Sequence, residues 1–189
     1  MTTSVLLYLI LILGLYAERL VELVVSQRNI RRLLANGARE YGRGHFPAMA
    51  LFHTLFPAAA VVEVLVLDRP FPGILGYVSL VTVFLAQGLR WWAVRSLGAA
   101  WSVRVVVQPD AKPVTGGPYR LLKHPNYLAV VLEVAAVPLV HGAWVTAIAA
   151  TVVNLGLLWV RIPLEERAMG PGYAAAFARG EASSEKGRS

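Results

Sequence analysis

Five stretches of the chain are too apolar and too long to face water: roughly residues 5–25, 46–67, 71–96, 126–140 and 143–160. At a rise of about 1.5 Å per residue, the first three reach across a hydrocarbon core of roughly 30 Å. The last two are shorter and only His141 and Gly142 part them, so they read as a helical hairpin that is tilted or sits where the bilayer is thinned. The expected fold is therefore all-α, a polytopic integral membrane protein of about five transmembrane helices ending in a hairpin. Residues 1–180 read as a single domain, and residues 181–189, small and polar, as a frayed tail. The first stretch has no basic segment before it and no small-residue cleavage site after it, so it is expected to be a retained helix.

The basic residues gather in two of the connections. The net charge is +7, but nucleic-acid binders seldom carry several runs near membrane-spanning length, so nucleic acid is excluded as a partner and the lipid bilayer is the expected one. Arg28, Arg31, Arg32, Arg39 and Arg43 fall between the first two stretches; Arg104, Lys112, Arg120 and Lys123 fall between the third and fourth, with Asp110. The positive-inside rule places both connections and the carboxyl end in the cytoplasm and the amino terminus outside. With no cysteine, thiolate chemistry is excluded, and His45, His53, His124 and His141 lack metal-ligand spacing, so no metal is expected.

Two segments flank the hairpin on its cytoplasmic side and must lie near each other. The first, GGPYRLLKHPNYL, turns at Gly116, Gly117 and Pro118 and starts a helix at Pro125, where a missing amide hydrogen costs little. Its free amides beside Lys123 and His124 suit a carboxylate; equally, the cations suit a snorkelling belt against lipid headgroups. In the second, WVRIPLEERAMGPGY, Arg161 and Glu165 are one helical turn apart and can pair, whereas Glu166 faces elsewhere. A membrane-edge role would account for these charges as well.

The pattern GPYRLLKHPNYL, an apolar hairpin, then RIPLEE resembles the cofactor-binding half of the isoprenylcysteine carboxyl methyltransferase family, with Lys123 where that family usually has arginine. The resemblance extends upstream through LRWWAVRSLGAAWSVRVVVQPDAKPVTGGPY. The amino half, with ERLVELVVSQRN and GAREYGRGHFP, is similar to a bacterial branch linked to type III polyketide synthases, whose members O-methylate alkylpyrones. This implies S-adenosylmethionine in a cytoplasm-facing pocket walled by Val107, Gln108, Gly117, Pro118, Tyr119, Lys123, His124, Pro125, Tyr127 and Glu165. It also implies functional roles for Arg161 and Glu166, a lipophilic acceptor (an alkylpyrone hydroxyl or a prenylcysteine-like carboxylate) and a functional link to such a synthase. In keeping with that cofactor site, no strand followed by GxGxxG occurs, which argues against a Rossmann-type site.

Other polar residues carry two readings each. Glu133, near the middle of the fourth stretch, walls a substrate passage or pairs two helices, since an ionised carboxylate there costs at least about 2.5 kcal/mol. Glu18 and Glu22 are expected to tether the first helix to the basic loops. His45 and His53 reach the site mouth or simply pack. Trp91, Trp92 and Trp101 form an interfacial belt, or line a lipid-tail passage. Rival functions are a phospholipid N-methyltransferase, a sterol-type membrane reductase, and a transporter or scaffold without catalysis.

Overall fold

The computed structural model describes residues 2–109, 111–173 and 176–177; Asp110 and the expected tail, residues 181–189, lie outside them. Five helices follow one another: α1 (Thr3–Ala35), α2 (Phe46–Val66), α3 (Ile74–Leu97), α4 (Pro125–Leu139) and α5 (Trp144–Met169). Four of them, all but α4, are long and apolar enough to cross a membrane. With 15 residues, α4 is about 22 Å long, short of a full crossing. Large apolar side chains such as Ile74 and Trp159, each 83% exposed, point outward as lipid-facing residues do.

Two helices outrun their apolar stretches. The 33 residues of α1 span about 50 Å, so Arg28, Arg31 and Arg32 ride on the helix and not in a loop. The extension is held by polar side chains: Ser26 Oγ accepts from the Val103 amide at 2.9 Å, and Asn29 donates to the carbonyls of Trp101 (2.9 Å) and Gly98 (3.2 Å). Likewise α5 continues through Met169 and carries Arg161, Glu165 and Glu166 on its last turns. Pro163 removes one amide donor within them, the one that would bond the Trp159 carbonyl.

The two basic connections are joined by a short antiparallel ribbon, β1 (Arg39–Tyr41) against β2 (Val105–Val107), with Glu40 opposite Val106. This is a small departure from the all-helical expectation. Three residues per strand leave too little alternation to be read from sequence, and the pairing depends on α1 and α3 bringing the loops together. Beneath the ribbon, Glu40 binds Arg43 (3.2 Å) and Arg104 (3.4 Å).

At the far end, Glu63 of α2 closes the start of α5. Its carboxylate accepts from the Thr146 amide (2.7 Å), the Thr146 hydroxyl (2.8 Å) and the Val145 amide (3.2 Å), with Arg69 at 3.0 Å. The first amides of α5 have no intrahelical acceptor, and an anion there also suits the helix dipole. Between the ends, Tyr8, Ile12, Phe56, Ala60, Val83 and Val134 belong to one apolar core.

Within that core lies a charged layer that ties α1, α3 and α4. Arg90 of α3 grips Glu22 with two bonds of 2.6 and 2.7 Å; Arg19 donates to Glu22 and to Glu133, both at 2.5 Å. Glu18 receives the Gln87 amide and the Trp91 indole N–H. Glu18 and Glu22 thus tether α1 to α3, not to the basic loops, because Gln87, Arg90 and Trp91 reach them inside the bundle. Glu133 is the paired glutamate of its two readings.

Candidate functional site

The turn before α4 and the last turns of α5 meet, as their places around the hairpin require. Glu166 Oε1 is shared by Lys123 Nζ at 2.7 Å and His124 Nε2 at 2.8 Å. One turn deeper, Arg161 donates through Nε to the Tyr127 hydroxyl (2.9 Å) and through Nη2 to the Val103 carbonyl (2.8 Å). The Tyr127 hydroxyl in turn donates to Glu165, whose carboxylate lies 4.0 Å from Arg161. A Tyr127 phenol therefore stands between the guanidinium and Glu165, which direct pairing at i, i+4 would not have suggested. Side-chain exposure falls from 35% at Lys123 and 34% at Glu166 to 7% at Arg161, so the site grades from an open rim to a buried cation.

Local chain features set this geometry. Pro125 begins α4 and leaves His124 outside the helix, stacked 5.2 Å from the Tyr127 ring. Tyr173 covers the other side: its ring lies 6.1 Å from His124 and 5.4 Å from the Lys123 ammonium, and its hydroxyl donates to the Lys123 carbonyl at 3.3 Å. Burial, with the Glu165 charge second, raises the pKa of the Tyr119 and Tyr173 hydroxyls above the ordinary phenol value, so both remain neutral donors. Gly117 sits at φ +60°, and a Cβ there would fall 2.2 Å from Ser96 Oγ and 3.1 Å from Trp92 Nε1. Gly117→Ala is accordingly expected to destabilise the protein by about 1–2 kcal/mol from the left-handed backbone alone. Thermal unfolding in detergent reads this, and Ser96→Ala in the same chain should recover only the part due to the contact. An unchanged melting temperature would remove the glycine requirement.

The remaining candidates divide. Val107 ends β2, and Gln108 beyond it is exposed; no hydrogen bond joins the Gln108 side chain to the other candidates among the described residues. Pro118 and Tyr119 are buried in the turn beside α3. Trp92 borders the Gly117 turn. Trp101 is 3% exposed, against the belt expectation, because the chain after α3 folds back over α1. His45 caps the start of α2 near Gly42, its ring nitrogens buried and without a hydrogen-bond partner among the described residues; His53 packs edge-on against Phe56. Glu133 is tied to Arg19. Sequence reasoning missed Arg90, Asn126 and Asn154, and saw Arg19 between Glu18 and Glu22 without its partner Glu133. A charged or amide side chain inside an apolar run was the available signal for each.

Two open clefts of about 420 Å³ each lie on the seam between α2 and α5. They share Ala59, Val145 and Thr146 and follow α2 from Ala48 to Leu67. Neither includes the charged cluster, yet the upper one starts beside Met49, whose sulfur is 3.5 Å from Arg161 Nη1.

Residues 78–171 match the family model described as isoprenylcysteine carboxyl methyltransferase (ICMT) family. An uncharacterized protein of Bacillus subtilis (strain 168), YpbQ, is 36% identical over 161 residues, 85% of this chain and 95% of that protein. The chain belongs to the isoprenylcysteine carboxyl methyltransferase family. An uncharacterized protein of Haemophilus influenzae is 27% identical over 154 residues, covering 81% of this chain and 89% of that protein. No solved structure matches at a significant level. Membership in the isoprenylcysteine carboxyl methyltransferase family, together with the four apolar helices, implies a membrane methyltransferase; members of the family generally use S-adenosylmethionine.

Both segments that meet at Glu166 lie inside the matched region. S-adenosylmethionine carries an ammonium, a carboxylate and a sulfonium, so its site needs both signs of charge at short range. Lys123 would supply the cationic side, Glu165 and Glu166 the anionic side, and His124 a ring nitrogen for hydrogen bonding beside them. The residues fit the cofactor.

Proposed function

We propose that the protein is an S-adenosylmethionine-dependent O-methyltransferase whose acceptor is an ionised oxygen on a long apolar tail. The observation that carries this reading is the graded site, with Lys123, His124 and Glu166 at the rim and Arg161 buried beneath them beside the α2–α5 seam. A polar cofactor enters from the aqueous side, while the tail stays in lipid and follows the clefts along α2. By the positive-inside rule that aqueous side is the cytoplasm.

The cofactor supplies a methyl carbon on a sulfonium; the acceptor oxygen forms the new C–O bond as the C–S bond breaks, and its electron pair stays on sulfur. Arg161 holds the oxyanion in line, and its bonds to Val103 and Tyr127 fix the guanidinium beforehand. An acceptor already ionised needs no strong base. The buried, lipid-side position strips water from the oxyanion, which adds to its reactivity. Glu166 orders Lys123 and His124 for the cofactor. The long-tailed hydroxypyrones made by type III polyketide synthases suit these demands, and such a synthase is the proposed source of the acceptor. An amine acceptor would need a free carboxylate, Glu133 or Glu166, to take its proton; Glu133 is bound to Arg19 and Glu166 to Lys123 and His124.

Calorimetric titration of the detergent-purified protein with S-adenosylhomocysteine tests the cofactor. Micromolar binding that His124→Ala weakens about tenfold, roughly 1.4 kcal/mol, is the expected result. Absence of binding alongside binding of a nicotinamide dinucleotide would replace the methyltransferase reading by the reductase.

A further inference from the structure

Asn154 of α5 is 1% exposed, and neither its Oδ1 nor its Nδ2 has a hydrogen-bond partner among the described residues. An amide with both ends unsatisfied is costly in any protein interior, and most of all at membrane depth, where bulk water is absent. Leucine is close in size and would avoid that cost. The buried residues of α5 are Ala147, Ala150, Asn154, Leu158 and Arg161, spaced by three or four and hence on one face. Asn154 thus lies two turns below Arg161, about 10 Å along the axis. Beside it, Ala150 and Val153 line the upper cleft with Phe52 and Phe56. Asn154 is thus next in the chain to a residue of the apolar groove and on the same helix face as the buried guanidinium, with no hydrogen-bond partner among the described residues.

We propose that Asn154 is a specificity-determining residue that hydrogen-bonds the head group of the methyl acceptor. This rests on the acceptor class given above and narrows it. With the ionised oxygen at Arg161, the Asn154 Nδ2–H groups select a second, neutral oxygen on the same head, such as a ring or amide carbonyl, while the tail leaves through the cleft. A fatty carboxylate has the anion and the tail but no second oxygen of that kind. It would leave the amide unpaired, and a site built around a hydrogen bond rejects analogues that lack it.

The test compares methyl transfer from tritiated S-adenosylmethionine to 4-hydroxy-6-undecyl-2-pyrone and to dodecanoate. The wild type is expected to prefer the pyrone. Asn154→Leu should lose at least tenfold in kcat/KM on the pyrone, through KM, with no loss on dodecanoate and unchanged affinity for S-adenosylhomocysteine. Asn154→Thr, which keeps a donor and an acceptor, should fall between. A wild-type KM in Asn154→Leu, or effects of both variants confined to the melting temperature, would make the amide structural and overturn the proposal. A wild type that binds S-adenosylhomocysteine yet methylates neither probe would overturn the acceptor class, and this inference with it.

Discussion

Arg161→Ala is expected to lower methyl transfer by about 10²-fold or more while the protein still inserts and folds. The magnitude follows from what the guanidinium does: misplacing a reacting atom by about 1 Å costs of that order, and no other cation contacts the Tyr127 hydroxyl among the described residues. Folding should survive because the Tyr127–Glu165 bond and the Ser26 contact to Val103 do not depend on Arg161. Arg161→Lys separates charge from shape. It keeps the cation but cannot span Tyr127 and Val103 as a fork, so it should recover only part of the rate. Glu166→Ala should act differently, through weaker cofactor binding, since it frees Lys123 and His124 from their shared carboxylate. Steady-state rates with tritiated cofactor, beside calorimetry with S-adenosylhomocysteine, divide the two. Near-normal turnover in Arg161→Ala would remove it from the mechanism.

How far the sequence disclosed this arrangement depends on the range of the interaction involved. The apolar runs located every helix, since burial in lipid is a property of the run itself. The meeting of Lys123 and His124 with the end of α5 was also legible, because a hairpin with so short a turn leaves its flanks nowhere else to go. Helix ends were not. The extension of α1 past Val25 is polar, and what holds it is Ser26 and Asn29 bonding a segment more than 65 residues away, as the Asn29 bond to Gly98 shows. The same holds for the buried charges. Glu133 was visibly in need of a partner, but nothing local named Arg19 of α1, and the Tyr127 phenol between Arg161 and Glu165 depends on the relative placement of α4 and α5.

That long-range layer has the largest consequence for stability. Glu22→Leu is expected to destabilise the protein by about 3 kcal/mol or more, because it strands Arg90, 7% exposed, without the carboxylate that takes both its Nε and Nη2. Breaking a buried pair by removing one partner costs about 3–5 kcal/mol, since the remaining charge stays desolvated. Arg19 suffers less, for it keeps Glu133. What remains to Arg90 is Asn126 Oδ1 at 3.4 Å, a neutral and long contact. The double variant Glu22→Leu with Arg90→Met should return most of the loss, because two apolar groups of similar volume need no solvation. Unfolding in detergent measures both, and a single variant as stable as the wild type would mean that Arg90 finds another acceptor. The double variant also asks a functional question. Arg90 reaches α4 through Asn126, next to Pro125 and His124, so the charged layer sets the depth at which α4 begins. If stability returns but affinity for S-adenosylhomocysteine does not, the ion pair is there to hold the cofactor turn in register as well as to bind α1 to α3.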